Sequence, residues 1–175
     1  TAVAGEDYTT IITTLTFPPN TVTQMVTIPL LDDALDEPIE TVNLTLSNIV
    51  NADPGTILQS ELQLTDDDDA PTVAFAATDF AGAEASGTVA IEVVLSQASA
   101  KTVTVDYVST DDTATDGSDY TVVSGTLTFV AGKRQQTFTI PIIDDDLDEA
   151  LETVTVRLTN PRGAMLAIPW STTLS

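Results

Sequence analysis

The sequence predicts an all-β protein built as tandem immunoglobulin-like antiparallel Greek-key β-sandwiches. Three observations carry that expectation. Apolar residues recur at every second position over short stretches, the period of half-buried strands. No long stretch keeps the helical period. The chain also aligns with itself at a spacing of 112 residues, Thr1 falling on Thr113. That period exceeds the ~20–50 residues of a solenoid unit and marks a domain array.

Taken in order, T-A-V-A-G-E-D-Y-T at residues 1–9 is matched by T-A-T-D-G-S-D-Y-T at 113–121. T-L-T-F at 14–17 recurs at 126–129, T-I-P at 27–29 recurs at 139–141, and E-T-V at 40–42 recurs at 152–154. In the first copy Leu15 with Phe17, Val26 with Ile28 and Leu30, and Val42 with Leu44 and Leu46 predict strands. The second copy offers Val89, Ile91, Val93 and Leu95, then Val103, Val105 and Tyr107, then Leu127 and Phe129. Phe138, Ile140 and Ile142 follow, and last Val154, Val156 and Leu158. Thr fills most intervening positions, and its β-branched side chain suits the solvated face of a strand. Gly132 marks a turn, and Asn20 takes its place in the first copy because Asn tolerates left-handed backbone. Pro29 and Pro141 fall inside apolar runs, which predicts an edge strand or a bulge. Residues 147–152 predict a single helical turn.

The domain boundaries follow as 1–69 and 70–175. The first copy lacks counterparts of the strands expected at 72–75, 88–95 and 102–108. The second lacks its C-terminal strand end and the aspartates that follow the strand-like residues 58–64 of the first. A sandwich short of strands exposes core and unpaired edges. The chain is therefore expected to be an excerpt of a longer array, or a subunit whose gaps neighbouring chains fill by strand addition.

Composition narrows the function. There are 27 acidic residues against five basic ones, a formal charge of −22. That argues against nucleic acid and anionic lipid, which both require positive surface. A hydrophobic content of 42% is too high for a disordered acidic tail. Cysteine and histidine are absent, which removes disulfides, thiolate sites, the usual zinc ligand and the commonest general base. No G-x-S-x-G or phosphate-cradling glycine loop occurs, and few aromatics are available to line a sugar cleft, so no enzymatic activity is expected. No apolar run approaches the roughly 18 residues of a membrane helix, so no membrane insertion is expected.

The charge is concentrated in two loops, P-L-L-D-D-A-L-D-E-P-I-E at 29–40 and P-I-I-D-D-D-L-D-E-A-L-E at 141–152, without a Lys or Arg in either. Like charges so close repel and raise one another's pKa unless a cation compensates. Such a run either points into water or holds a hard cation. Ca²⁺ takes about 6–8 oxygen ligands at about 2.3–2.6 Å, which flexible carboxylate loops can supply, whereas Mg²⁺ demands strict octahedral geometry. The plainer alternative is a set of solvated turns that keep the protein soluble. An EF-hand does not fit, since Glu149 stands where its glycine is required and Thr155 where its closing Glu belongs. D-G-S-D-Y at 116–120 reads as a turn before a core-edge tyrosine rather than as a site. Trp170 reads as packing near the last strand.

The combination of V-D-Y-V-S-T-D-D-T-A-T-D-G-S-D-Y (105–120), G-T-L-T-F-V-A-G (125–132), T-F-T-I-P-I-I-D-D-D-L-D-E (137–149) and E-T-V-T-V-R-L-T-N-P-R-G-A (152–164) resembles tandem Calx-β domains. That module is known from the regulatory loop of sodium–calcium exchangers, from integrin β4 and from large bacterial surface proteins. The resemblance implies a seven-stranded antiparallel sandwich that coordinates Ca²⁺ at one end. Carried over by motif, the metal-binding residues would be Glu84, Asp111, Asp144, Asp145 and Glu149 in the second copy. Asp32, Asp33, Glu37, Asp66, Asp67 and Asp68 would serve in the first. Ions near residues 66–71 are expected to stiffen the joint between the copies.

The expectation is thus a calcium-binding extracellular or cell-surface repeat, structural or adhesive, whose partners are neighbouring repeats of the same or identical chains and a surface or protein ligand. Two alternatives stand beside it: a filament subunit assembled by strand complementation, and an intracellular calcium-sensor pair.

Overall fold

The alternation of apolar and hydroxyl side chains becomes strands wherever a neighbouring strand is available to pair with. In the computed structural model, which describes residues 1–175, the chain divides into two compact units. Unit 1 comprises Thr1–Ala34 and Pro38–Asp67; unit 2 comprises Leu35–Glu37 and Asp68–Ser175. No helix is long and apolar enough to cross a membrane.

Unit 1 holds β1 (Glu40–Thr45) and β2 (Gln59–Leu64), an antiparallel pair running from Glu40 opposite Leu64 to Thr45 opposite Gln59. Unit 2 holds β3 (Thr72–Phe75), β4 (Asp79–Phe80), β5 (Thr88–Leu95), β6 (Val103–Asp111), β7 (Ser124–Phe129), β8 (Gln135–Pro141), β9 (Val154–Arg162), β10 (Met165–Leu166) and β11 (Ser171–Leu174). They form a four-stranded sheet in the order β10-β3-β5-β8 and a five-stranded sheet in the order β4-β11-β9-β6-β7. The pairings are antiparallel except for two short parallel contacts, β10 with β3 and β4 with β11. Pro141 ends β8, which is the edge of its sheet, where a residue without an N–H is tolerated.

The core of unit 2 lies between these sheets. Ile91 and Val93 of β5, Ile140 of β8, Val103 and Val105 of β6, and Val156 and Leu158 of β9 have no solvent exposure. Each such side chain contributes roughly 1.5–3 kcal/mol through removal from water. Tyr107 stacks on Phe138 with ring centroids 3.9 Å apart, joining one sheet to the other. Gly125 lies opposite Tyr107 on β7, and a Cβ there would sit 2.8 Å from the tyrosine hydroxyl. Any larger residue would have to displace that ring.

Unit 1 repeats the local geometry of unit 2 but not its sheets. β1 and β2 pair in the register of β9 and β11, Thr45 lying opposite Gln59 as Arg157 lies opposite Ser171. Asn20 has φ 67° where Gly132 has φ 76°, so the asparagine does take the glycine's left-handed place. The Gln24 side chain donates to Thr16 O at 2.7 Å, as Gln136 does to Thr128 O at 2.6 Å. Residues 12–17 and 23–29, however, form no strand, although their equivalents are β7 and β8. The alternation predicted strands there, and the difference has a direct cause. β7 is held by β6 and β8 by β5, and unit 1 has neither. Without a partner the backbone groups of such a segment bond water, and the extended ladder gains nothing.

Other differences are local. Residues 147–152 form no helical turn; the Leu147 N–H instead donates to Asp145 Oδ1 at 2.6 Å, a turn closed by a side chain. The single 3₁₀ turn is Glu84–Ser86, ahead of β5. Trp170 precedes β11 as expected but stays half-exposed, lining a shallow apolar groove with Leu158, Leu166 and Ile168.

Equivalent positions therefore carry unequal energetic weight. Phe129 is 1% exposed and its counterpart Phe17 is 53% exposed. Phe129→Ala is expected to cost unit 2 about 3–5 kcal/mol by leaving a cavity. Phe17→Ala, on an exposed ring, is expected to stay within about 0.5 kcal/mol. Urea unfolding of the two variants checks this; equal losses would show that Phe17 is part of a packed core.

Candidate metal centre

The acidic loop of unit 2 is pinned at its start to the D-G-S-D-Y turn and at its end to Thr113, three residues before that turn. At its start the Ile143 N–H donates to Asp119 O at 2.9 Å, and the Thr121 N–H donates to Pro141 O at 3.0 Å. At its end the Thr113 N–H donates to Thr153 O at 3.1 Å, and the Thr153 N–H donates to Thr113 Oγ1 at 2.7 Å. The turn is itself fixed. Gly117 has φ 84° and donates to Tyr120 O at 2.8 Å, a conformation that favours glycine. The buried Tyr120 ring anchors it in the core, and burial, then the adjacent Asp111 carboxylate, push the phenol's pKa well up.

This bracing brings three carboxyl groups together. Carboxyl oxygens of Asp119, Glu149 and Glu152 all lie within 4.8 Å of one another. Asp119 is oriented by the Thr115 N–H, which donates to its Oδ2 at 2.7 Å. Glu152 is half-buried, and its Oε2 is shielded from solvent without a hydrogen-bond donor. Loss of solvation raises the Glu152 pKa, and so do the facing Asp119 carboxyl and the charges of Glu149 and Glu84. Glu149 is raised in the same way, by desolvation and then by Asp119, Asp145 and Glu84. Every charged group acting on these two glutamates is an acid.

The same turn recurs in unit 1. Leu31 N–H donates to Asp7 O at 2.9 Å, and Gly5, with φ 92°, donates to Tyr8 O at 2.8 Å. Asp7 and Glu40, the equivalents of Asp119 and Glu152, again face each other. Glu40 is raised by desolvation and then by Asp7, against a smaller opposing effect of the terminal ammonium. Asp36, in unit 2, shows the contrasting case of an acid that has found a cation. It is 2% exposed, with Lys101 Nζ 2.6 Å from Oδ1 and the Ser99 hydroxyl 2.6 Å from Oδ2. Burial would raise its pKa, but hydrogen bonds from Lys101 and Ser99 and the lysine charge outweigh that and hold it below the usual carboxylate range.

The residues expected from sequence are thus sorted. Glu149 is in the cluster, with Glu84 (on the 3₁₀ turn) and Asp145 close enough to act on it. Asp144 is exposed on the same loop. Asp111 is engaged structurally, its Oδ1 accepting from the Tyr120 hydroxyl at 2.7 Å and the Asp116 N–H at 3.1 Å. In the first copy Asp32 and Asp33 are exposed and Glu37 is half-buried; Asp66, Asp67 and Asp68 follow β2 after Thr65. Sequence reasoning missed Asp119, Glu152, Asp7 and Glu40. A signal was there to find them, since both copies carry an acid at these positions while Asp116 and Asp146 face Ala4 and Ala34.

A carboxyl whose pKa is raised by folding binds its proton more tightly in the folded state. It contributes stability below its ordinary value of 4.5 and loses that contribution as pH climbs through the raised folded value. In chelator, Glu152→Gln is therefore expected to be more stable than the parent at pH 7, with the difference fading towards pH 4. Urea midpoints across that range check it; a variant less stable at pH 7 would contradict the direction.

Comparison with known proteins agrees with the geometry. The Calx-beta domain family model matches residues 1–65 and 66–174. Sodium/calcium exchanger 3 of Homo sapiens is 44% identical over 62 residues, 35% of this chain and 7% of that protein. Sodium/calcium exchanger 1 of Rattus norvegicus is 40% identical over 80 residues, 45% of this chain and 8% of that protein. The matched segments thus span less than a tenth of these relatives. Among solved structures, the apo form of the Calx CBD1 domain superposes with TM-score 0.58 at 32% identity, covering 61% of this chain and 95% of that one. Calcium binding domain CBD12 of CALX1.1 superposes with TM-score 0.56 at 33% identity, covering 58% of this chain and 43% of that one. With both copies matched over almost their whole length, the chain belongs to the Calx-beta domain family.

Proposed function

We propose that the chain is a calcium-binding regulatory module, a pair of Calx-beta repeats in which Ca²⁺ orders the acidic loop. One observation carries the reading: Asp119, Glu149 and Glu152 are held within 4.8 Å with no basic group acting on either glutamate. The donor set fits a hard divalent cation, being all carboxylate oxygen on a loop free to adjust. The solvent-shielded Glu152 Oε2, which lacks a donor, is a lone pair that an ion would satisfy. Asp119, Glu149 and Glu152 would hold the ion, with Glu84 and Asp145 the nearest further ligands. In unit 1 Asp7 and Glu40 would take the corresponding roles. Bound calcium supplies the positive charge that these carboxylates otherwise lack.

The chain's own residues do the positioning. Gly117, Tyr120 and the Thr113–Thr153 bonds fix the turn, and Asp111 locks the Tyr120 hydroxyl. One structural relative, CBD12 of CALX1.1, is itself a calcium binding domain, which supports the reading. Of the expectations drawn from the sequence, the calcium-sensing pair is the one the exchanger relatives favour. The extracellular spacer and the filament find no counterpart among the relatives described above.

Calcium at 100 times its Kd is expected to stabilise unit 2 by about 2.7 kcal/mol. Asp119→Asn and Glu152→Gln are each expected to weaken binding at least tenfold by calorimetry, whereas Asp111→Asn, off the cluster, should weaken it far less. Identical melting in EDTA and in calcium, with no heat of binding, would end the proposal.

A further inference from the structure

Two aspartates stand side by side at the end of β6, and they brace different parts of the acidic centre. Asp111 is the last residue of β6, opposite Val154 of β9. Its carboxylate holds the D-G-S-D-Y turn through the Tyr120 hydroxyl and the Asp116 N–H. Asp112 serves the far end of the loop instead. Its Oδ2 accepts from the Thr153 hydroxyl at 2.7 Å.

That bond sets the direction of a small network. A carboxylate accepts hydrogen bonds and cannot donate them, so the Thr153 hydroxyl gives its one proton to Asp112. The hydroxyl oxygens of Thr113 and Thr153 lie 3.2 Å apart, and with the Thr153 proton committed, Thr113 is the donor between them. The Thr113 oxygen keeps a lone pair for the Thr153 N–H, which donates to it at 2.7 Å. Donation therefore runs one way, from Thr113 to Thr153 to Asp112, and ends on a charged acceptor, which strengthens the bond. Thr153 O accepts from the N–H groups of Thr113 and Ala114, both at 3.1 Å. Every polar group of Thr153 is held by residues 112–114.

The residue before Thr153 is Glu152, whose Oε2 is shielded from solvent without a donor. The Thr153 N–H belongs to the planar peptide that begins at Glu152, so fixing that plane fixes where the Glu152 side chain leaves the backbone. Asp112 itself stands outside the group of Asp119, Glu149 and Glu152 whose oxygens lie within 4.8 Å of one another. We propose that Asp112 is a positioning residue of the metal centre: it binds no ion, and through Thr153 it holds the Glu152 carboxyl against Asp119 and Glu149. The inference rests on the calcium reading of that cluster and names what keeps one member in place. A ligand set ordered before the ion arrives binds more tightly than one that the ion must order.

The test compares the parent chain, Asp112→Ala and Asp112→Asn by calorimetric calcium titration and by amide hydrogen exchange in EDTA. Asp112 is exposed, so neither change disturbs the core. Asn keeps an oxygen for the Thr153 hydroxyl and loses only the charge, whereas Ala loses both. Asp112→Ala is expected to weaken calcium binding about three- to tenfold, the effect of one hydrogen bond. In EDTA the amides of Thr153 and Ala114 should exchange about three- to tenfold faster in the same variant. Asp112→Asn should return both measures to within about twofold of the parent. Equal losses with Asn and Ala would show that the carboxylate charge itself serves the ion, and would overturn the positioning role. Parental affinity in Asp112→Ala, or unaltered exchange, would overturn it as well, and in each of these cases the calcium reading survives. A parent chain that binds no calcium would overturn both.

Discussion

A β-strand cannot satisfy its own backbone polar groups, and the two copies show that constraint with one sequence pattern. T-L-T-F is part of β7 at 126–129, where β6 lies beside it. At 14–17 the same four residues have no such neighbour and form no strand. Propensity, alternation and turn chemistry are common to both, so the partner strand is what decides. Even the Gln-to-carbonyl bond across the turn survives in unit 1, which shows that local interactions persist when the ladder does not. A side-chain bond contributes on the order of 1 kcal/mol, too little to order a hairpin whose apolar face has nothing to pack against.

The sandwich also creates the electrostatic problem at its acidic loop. Backbone bonds tie the start of the loop to the turn and its end to Thr113, which limits how far the carboxylates can separate to relieve repulsion. Placing Asp119 on a turn fixed by Gly117 and Tyr120 holds it against Glu152, while Glu149 closes the group. Withdrawal from water adds to the repulsion, because desolvation disfavours the charged forms of Glu149 and Glu152. The arrangement resembles a preorganised ligand set: the cost of bringing the charges together is met by folding, before any ion arrives.

Much of the fold was legible in the sequence and part of the site was not. Alternation located β3, β5, β6 and β9, the repeat spacing identified the two copies, and Asn20 was read correctly as a left-handed turn residue. Residues 12–17 and 23–29 were misjudged because periodicity is local while strand pairing joins distant segments. Asp119 was read as a turn residue, since a lone acid before a tyrosine has no signature of its own. Glu152 was hidden at the threshold of β9. Asp111 was carried over from the family resemblance, yet its carboxylate accepts from the Tyr120 hydroxyl and the Asp116 backbone. Clustering of acids along the chain marked the right loop, but the ligand set is assembled across the turn, and only shared acidity between copies pointed to it.

Where the chain's few cations go makes the case for an external one. Lys101 holds Asp36, the Arg134 guanidinium donates to Ser96 O at 2.8 Å, and Arg162 acts on Asp106. With five basic residues against 27 acids, little internal charge remains to reach the loop. The repeat sharpens the contrast: Asp36 and Asp148 are equivalent positions, yet one is buried against a lysine and the other is exposed beside the cluster. An acid in this protein is buried and ionised where a cation accompanies it. At Glu149 and Glu152 the fold enforces proximity to Asp119 without one, and both glutamates hold their protons to higher pH as a result.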